Sequence, residues 1–293
     1  MIPARERSGL PVQEIQTCFG LIADTHYPDR LPSFPAVINE IFDGVDLILH
    51  AGDVGELRTL DALSETAPVI AVHGNDDTEE AQRTLPAQQL IPLKAQRILL
   101  FHSHNADRAE ELAARKIDDW GPKLTVRAER VRAAGAVLGV SGHTHVPLDV
   151  THDGIRLINP GAVSQGNDRL RQTLCSVAIL TVSQADDVMV NYINLEEPQA
   201  SFQPQVDLDA GFSAAHNQVS QSIWDDDLSR FWEPLVALVR LDEAAMRMVL
   251  RRSAYPVWRG EREQVTRADL RRAAQDEPTL PPAVRQLIEK LLE

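Results

Sequence analysis

The sequence is short of several features that mark whole classes of protein. It has two cysteines among 293 residues, Cys18 and Cys175, and both lie in apolar runs, so we expect buried thiols in a reducing cytoplasm rather than a disulfide. No apolar run approaches the roughly 18 residues of a membrane helix, so we predict no membrane segment. The N-terminus carries charge with no apolar stretch behind it, so we expect no secretory signal.

Positive charge is scarce relative to negative charge. The chain has 29 basic and 43 acidic residues and a net charge of −14. Such a surface repels a phosphate backbone, which argues against binding of long nucleic acid. A small phosphate ester remains open as a ligand, because bound metal cations would dominate the local field at a site.

Apolar runs alternate with helical patterns along the first half of the chain. We predict strands at residues 17–23, 46–51, 68–72, 95–101 and 136–140, which indicates an α/β fold with its site at the strand ends. Short antiparallel strands are expected after Pro147, and helices dominate the end of the chain, where residues 266–269 fit a helix cap. We therefore predict a flexible leader at 1–16, an α/β domain at 17–196 and a mainly helical extension at 197–293.

Each of the five predicted strands runs directly into polar residues. His143 and His145 stand at positions i and i+2, so on extended backbone they point to the same side, about 6.5–7 Å apart. That separation suits two metal ions roughly 3.5–4 Å apart. Carboxylate, amide and imidazole donors without thiolate suit Mn²⁺, Fe²⁺ or Zn²⁺. The seven candidate metal ligands are Asp24, His26, Asp53, Asn75, His102, His143 and His145.

These clusters closely resemble the motifs of the calcineurin-like metallophosphoesterases, and within them of the small YfcE-type phosphodiesterases. The family pattern is Asp-x-His, Gly-Asp, Gly-Asn, a lone His, and Gly-His-x-His. It is matched by Asp24-Thr25-His26, Gly52-Asp53, Gly74-Asn75, His102 and Gly142-His143-Thr144-His145, and the loop Asn159-Pro160-Gly161 also fits. The resemblance covers about residues 18–195 and leaves the last hundred outside.

The resemblance implies a four-layer αββα sandwich, with two mixed sheets flanked by helices, followed by the helical C-terminal extension. It implies two divalent metal ions, with Mn²⁺ as the first choice and Fe²⁺, Zn²⁺ or Ni²⁺ as alternatives. Asp24, His26 and His145 would hold the first ion, and Asn75, His102 and His143 the second. Asp53 would bridge both and so take part in catalysis. A water shared by such a pair is acidified and attacks phosphorus in line.

The sequence departs from the family pattern at two positions near the predicted ligands. Many members read Gly-Asn-His, in which the histidine assists the leaving group; here Asp76 stands at that position and becomes a candidate catalytic residue. The loss of that histidine favours esters with good leaving groups. Ser103 follows His102 where Gly is usual, and it either narrows the pocket or offers a hydroxyl to phosphate. His104 is a candidate phosphate contact, with an outward-facing loop position as the alternative.

The favoured function is hydrolysis of small phosphodiesters, with cyclic nucleotides among the candidates. A phosphomonoesterase or nuclease using the same site is one alternative. A protein-binding scaffold of the same fold is another, and it predicts missing metal ligands. The helical extension is either a cap or an arm for a homodimer, because Trp224, Phe231, Trp232 and Trp258 need a surface to pack on. That surface is the chain's own catalytic domain or a second copy.

Overall fold

The computed structural model describes residues 2–31, 33–93, 96–105, 107–114 and 116–293. The chain divides into two compact units, the first made of Met1–Ser164 and Thr173–Val219 and the second of Gln165–Gln172 and Ser220–Glu293. In the part of the chain described, no helix combines the length and the apolar character needed to cross a membrane.

The strands and helices alternate through the first unit, and helices dominate the second. The strands are β1 Ile15–Ile22, β2 Leu47–His50, β3 Val69–Ala71, β4 Gln88–Leu93, β5 Gln96–Phe101, β6 Leu138–Ser141, β7 Leu148–His152, β8 Ile155–Asn159, β9 Leu170–Gln172, β10 Ser176–Ser183, β11 Val188–Asn194, β12 Ser201–Phe202 and β13 Ser220–Ser222. The helices are α1 Val37–Ile41, α2 Arg58–Ser64, α3 Glu79–Thr84, α4 Arg108–Ala114, α5 Trp120–Ala133, α6 Phe212–Val219, α7 Asp226–Ser229, α8 Trp232–Val239, α9 Glu243–Trp258, α10 Arg267–Asp276 and α11 Pro282–Leu291.

Two mixed sheets form the first unit. One has the strand order β12-β11-β10-β1-β2-β3 and the other β4-β5-β6-β8-β7. In the first sheet β1, β2 and β3 run parallel, and β10 pairs antiparallel with β1. In the second, β5, β6 and β8 run parallel between two antiparallel edge strands. Both sheets therefore contain parallel strands whose C-terminal ends can carry a site.

Alternating side chains divide between three hydrophobic cores. In β5, Ile98 and Leu100 join the core between the two sheets, whereas Leu99 and Phe101 join a core formed with α5. On the first sheet, Cys18 of β1 joins a third core formed with α1. A strand with both faces buried in this way requires a layer on each side. The predicted four-layer sandwich of two mixed sheets between helices is confirmed.

The five predicted strands that precede the polar clusters correspond to β1, β2, β3, β5 and β6. Ala95, included in the fourth of these, lies outside the described residues. No strand is predicted from the sequence over residues 88–93, which form β4. Pro92 and two glutamines hide its strand character. A proline is tolerated there because β4 is an edge strand.

The second unit packs α7 to α11 around a core of its own, which includes Trp224, Met246 and Leu270. Strand β9, from the separate segment 165–172, pairs with β13. The cap predicted at 266–269 is confirmed as a capping box between Thr266 and Asp269 that opens α10.

The units differ from the domain bounds expected from composition. Residues 197–219 belong to the first unit and 165–172 to the second. Within the segment expected as a flexible leader, Ala4–Ser8 and Val12–Glu14 form 3-10 helices, β1 begins at Ile15, and Ala4 is buried in the core formed with α1.

Candidate metal centre

The predicted ligands follow the strand ends of both sheets and meet in two groups. In one group, a ligand atom from each of Asp24, His26 and His145 lies within 4.8 Å of the others. In the other group, the same holds for Asp53, His102 and His143. Six of the seven predicted ligands are thus brought together in threes, and they follow β1 and β2 of the first sheet and β5 and β6 of the second.

The Asp53 carboxylate lies between the two groups. Its Oδ2 is 3.5 Å from His26 Nε2 and 3.3 Å from His102 Nε2. Asn75, the seventh predicted ligand, stands beside this carboxylate, because the backbone N–H of the next residue, Asp76, donates to Asp53 Oδ1 at 2.8 Å. A single carboxylate thus borders both clusters of ligand atoms.

Much of the backbone that carries the ligands adopts a left-handed conformation. The φ angles are 52° at Asp24, 42° at His26, 52° at Asp53, 83° at His143 and 59° at His145. Such values cost about 1–3 kcal/mol per non-glycine residue and cluster at functional sites. The surrounding fold therefore holds these five residues in strained turns that aim their side chains at one another.

Two glycines allow the carboxylates their close approach. A Cβ on Gly74 would collide with the Asp53 side chain and backbone nitrogen, and a Cβ on Gly142 would lie 2.7 Å from Asp24 Oδ2. Contacts this short would force the carboxylates to move. The Gly-Asn and Gly-His elements of the motifs are thus explained by packing against the two aspartates.

The carboxylates are fully buried and held in the charged form. Burial alone would raise the pKa of Asp24, but His145 lowers it, with a net shift downward. The backbone N–H of His143 also donates to both Asp24 oxygens, at 2.9 and 3.1 Å. Burial acts in the same direction on Asp53, yet His102 and His26 hold its pKa well below the usual range. Two buried anions so close together need cations.

The donor set fits divalent metal ions. Nδ1 of His102 donates to the Ala51 carbonyl at 2.8 Å, which aims Nε2 at Asp53, and Nε2 has no hydrogen-bond partner among the described residues. Asn75 Oδ1 is buried and equally without a partner there. Burial would lower the pKa of His102, but Asp53 raises it to about 10, so a metal ion at Nε2 would compete with a proton.

Two further residues at the site are not found from the sequence. Glu111 Oε1 on α4 lies 2.9 Å from His143 Nε2, and both side chains are nearly buried. Arg30 donates to Asp76 Oδ2 at 2.5 Å and its Nη1 lies 3.4 Å from His26 Nε2. Glu111 is distant in sequence from His143, as Arg30 is from Asp76, and no motif marks either residue.

The structure also locates the residues whose roles the sequence leaves open. His26, Asp53 and Asp76 can together offer three ligand atoms within 4.8 Å, so Asp76 lies at the centre. The His104 ring is 5.3 Å from that of His102, and burial lowers its pKa to about 4. The Ser103 hydroxyl donates to the Gly142 carbonyl at 2.8 Å, so it braces the loop that carries His143.

Comparisons with known proteins agree with this centre. A model of the calcineurin-like phosphoesterase superfamily domain matches residues 18–185, more than half of the chain. A probable metallophosphoesterase of Methanothermobacter thermautotrophicus is 34% identical over 143 residues, which are 49% of this chain and 75% of the relative. A probable metallophosphoesterase of Methanocaldococcus jannaschii is 30% identical over 184 residues, 61% of this chain and 81% of the relative.

Among solved structures, Vacuolar Protein Sorting 29 from Cryptosporidium parvum is similar with a TM-score of 0.47 at 17% identity, over 61% of this chain and 92% of that chain. The predicted activity of a metal-dependent phosphoesterase is confirmed by the family match and the two archaeal relatives. The chain belongs to the calcineurin-like phosphoesterase superfamily.

Proposed function

We propose that the chain is a phosphodiesterase that depends on two divalent metal ions and hydrolyses small phosphodiesters, with cyclic nucleotides among the candidates. The observation that carries the proposal is the position of Asp53, whose Oδ2 borders a ligand nitrogen of His26 on one side and of His102 on the other. Two cations repel each other unless an anion is shared between them, and a buried carboxylate supplies that anion.

The proposed division of the ligands follows the family pattern. Asp24, His26 and His145 would hold one ion; Asn75, His102 and His143 would hold the other. When bound, such ions activate a water and offset the charge on the phosphoryl oxygens. Oxygen and imidazole donors without thiolate suit Mn²⁺, Fe²⁺ or Zn²⁺. Following the family resemblance, we propose Mn²⁺ first, with Fe²⁺, Zn²⁺ or Ni²⁺ as alternatives. No side-chain nucleophile is required.

Asp76 supports the preference for substrates with good leaving groups. Its carboxylate accepts from Arg30, so this oxygen is engaged as an acceptor rather than as a proton donor to a departing alkoxide. The ester must therefore supply a stable leaving group of its own. Arg30 in turn places a cation beside His26, where a phosphoryl oxygen would be stabilised. His104 remains a proposed phosphate contact, since its ring lies next to that of His102.

The test is hydrolysis of bis-p-nitrophenyl phosphate by protein stripped of metal, with Mn²⁺, Zn²⁺, Ni²⁺ or Mg²⁺ added back. Asp53→Ala and His143→Ala proteins are assayed beside Asp61→Ala, which changes an exposed acid on α2. We expect turnover to return with metal in the wild type and in Asp61→Ala only. A folded wild type without turnover under any metal contradicts the proposal, and faster cleavage of p-nitrophenyl phosphate would favour the monoesterase.

Two further predictions belong with this function. A cytoplasmic location agrees with the state of Cys18 and Cys175, which are both free thiols.

A homodimer through the C-terminal extension is supported by the side chains of Leu241 and Leu287, which are 61% and 45% exposed to solvent. Light scattering of the wild type and of a Leu241→Glu variant tests it, and a monomer in the wild type contradicts it.

A further inference from the structure

A cleft of about 130 Å³ lies within the second unit, formed entirely by residues outside the metal centre. It is lined by one cation, two indole rings, two hydroxyl groups and a leucine, and no carboxylate is among them. The lining residues are Arg169, Leu170, Ser222, Trp224, Ser229 and Trp232.

Arg169 is fixed in position by the aromatic rings. Its guanidinium carbon lies 3.4 Å from the centroid of the Trp232 ring and 5.9 Å from that of Trp224, and the two indoles meet edge to face at 5.8 Å. Stacking on a ring engages the face of a guanidinium and leaves its N–H edges available. The cation is therefore oriented before any ligand arrives.

The charge of Arg169 is not matched by an acid. Within the described part of the chain its side chain makes no ion pair. The adjacent Asp168 lies 3.3 Å from Arg251, and Asp227, near Ser229 in the chain, lies 2.6 Å from Arg267. Burial lowers the pKa of Arg169, which Asp168 only partly opposes. An anion bound in the cleft would favour the charged guanidinium and so offset the effect of burial on the pKa of Arg169.

The other polar groups of the cleft are mainly donors. Trp224 is 4% exposed, and its indole N–H has no hydrogen-bond partner among the described residues. The Ser222 hydroxyl oxygen accepts from the backbone N–H of Trp224 at 3.2 Å, which leaves its own hydrogen free to donate. The Leu170 carbonyl already accepts from Trp258 Nε1 at 3.0 Å. Donors around an oriented arginine suit an anionic ligand.

The size of the cleft limits what that anion can be. Water occupies about 30 Å³ in the liquid, so the cleft has room for about four waters. That space accommodates a phosphate-sized group. We propose that this cleft binds a phosphoryl oxyanion, either inorganic phosphate or the phosphoryl end of a monoester, with Arg169 as its bidentate anchor. The site is independent of which ester the metal centre cleaves.

Calorimetric titration of the full-length protein with inorganic phosphate tests the proposal, once with Mn²⁺ and once with EDTA so that binding at the metal centre is separated. We expect saturable binding that persists in EDTA and that Arg169→Gln weakens at least tenfold. Arg169→Lys should fall between, because it keeps the charge and loses the planar fork. Arg259→Gln is the control, since Arg259 lies 5.6 Å over the Tyr255 ring in the same unit.

A second variant leaves Arg169 and the two indole rings in place, so the proposal stays testable if the Arg169 variants misfold. Ser229→Ala removes one hydroxyl from the cleft and should weaken phosphate binding by about two- to tenfold, as expected for a neutral hydrogen bond. Phenyl phosphate distinguishes the two sources: tighter binding than phosphate identifies a monoester, and weaker binding identifies the free ion. No saturable binding in EDTA, or equal affinity in the wild type, Arg169→Gln and Ser229→Ala, overturns the proposal.

Discussion

Glu111 offers a test of how finely the metal centre is oriented. Both oxygens of its carboxylate have a partner. Oε1 lies 2.9 Å from His143 Nε2, and Oε2 accepts from the backbone N–H of Asn105 at 2.9 Å. Burial lowers the pKa of His143, with Glu111 opposing that shift. A neutral His143 then donates from Nε2 to Glu111 and keeps the lone pair of Nδ1 for a metal ion. We predict that Glu111→Gln weakens metal binding.

The magnitude follows from the burial of the pair. The side chains are 15% and 8% exposed, and a hydrogen bond to a charged group in such surroundings contributes about 1.5–3 kcal/mol. At about 1.4 kcal/mol per factor of ten, this corresponds to a loss of roughly 10- to 100-fold in affinity, the range found when a carboxylate behind a ligand histidine is removed.

Competition with a fluorescent chelator measures the affinity of the wild type and Glu111→Gln for Mn²⁺ and Zn²⁺. Glu110→Gln is the matched control, because Glu110 is the preceding residue of α4 and is exposed. We expect the control to bind within twofold of the wild type. An affinity of Glu111→Gln within twofold of the control would refute the argument that Glu111 orients His143.

Three further outcomes are expected. Gly74→Ala should abolish metal-dependent activity, because the new Cβ meets the Asp53 side chain and backbone nitrogen; an active variant with wild-type metal content would contradict this. Metal binding should release protons into a weakly buffered solution, and metal affinity should rise as the pH is raised from 6 towards 10. The reason is that the pKa of His102 stands near 10 without metal and a ligand histidine must be neutral. A metal affinity independent of pH over this range would contradict the prediction. Burial raises the pKa of both Cys18 and Cys175 to about 12, so at pH 8 the thiols stay protonated and a disulfide reagent should react only on unfolding; rapid labelling of the folded protein would show otherwise.

The residues of the centre were predictable where a short stretch of sequence contains both the residue types and the spacing that a metal site requires. His143 and His145 stand two apart at a strand end, and Gly52-Asp53 is a turn with a carboxylate, so residue type and spacing were enough to nominate them. The left-handed φ of Asp53 and His143 could not be predicted, since it is imposed by contacts with residues remote in the chain. The role of Glu111 could not be predicted for a similar reason, because its sequence context is that of an ordinary polar position on a helix.

The fold was predictable for a different reason, and its limits are also physical. Buried strands such as β1 and β6 are continuous apolar runs, so they stand out. The edge strand β4 has Pro92 and little apolar character, and the segment 165–172 reads as a loop. Its last three residues, Leu170–Gln172, become β9 because β13, Ser220–Ser222, pairs with them. Pairing between distant segments leaves no local mark, so neither the strand nor the division into units could be found from composition.

The ligands of the centre come from segments that follow strands of both sheets, so a bound metal ion would connect the two sheets. Asp24 follows the first sheet and His143 the second, and they are 119 positions apart in the chain. An ion held by residues of both sheets joins them as a removable cross-link, and because the unfolded chain does not assemble this set of ligands, metal binding stabilises the folded state. In a protein whose two cysteines are free, the supply of metal would then govern the lifetime of the folded chain as well as its turnover.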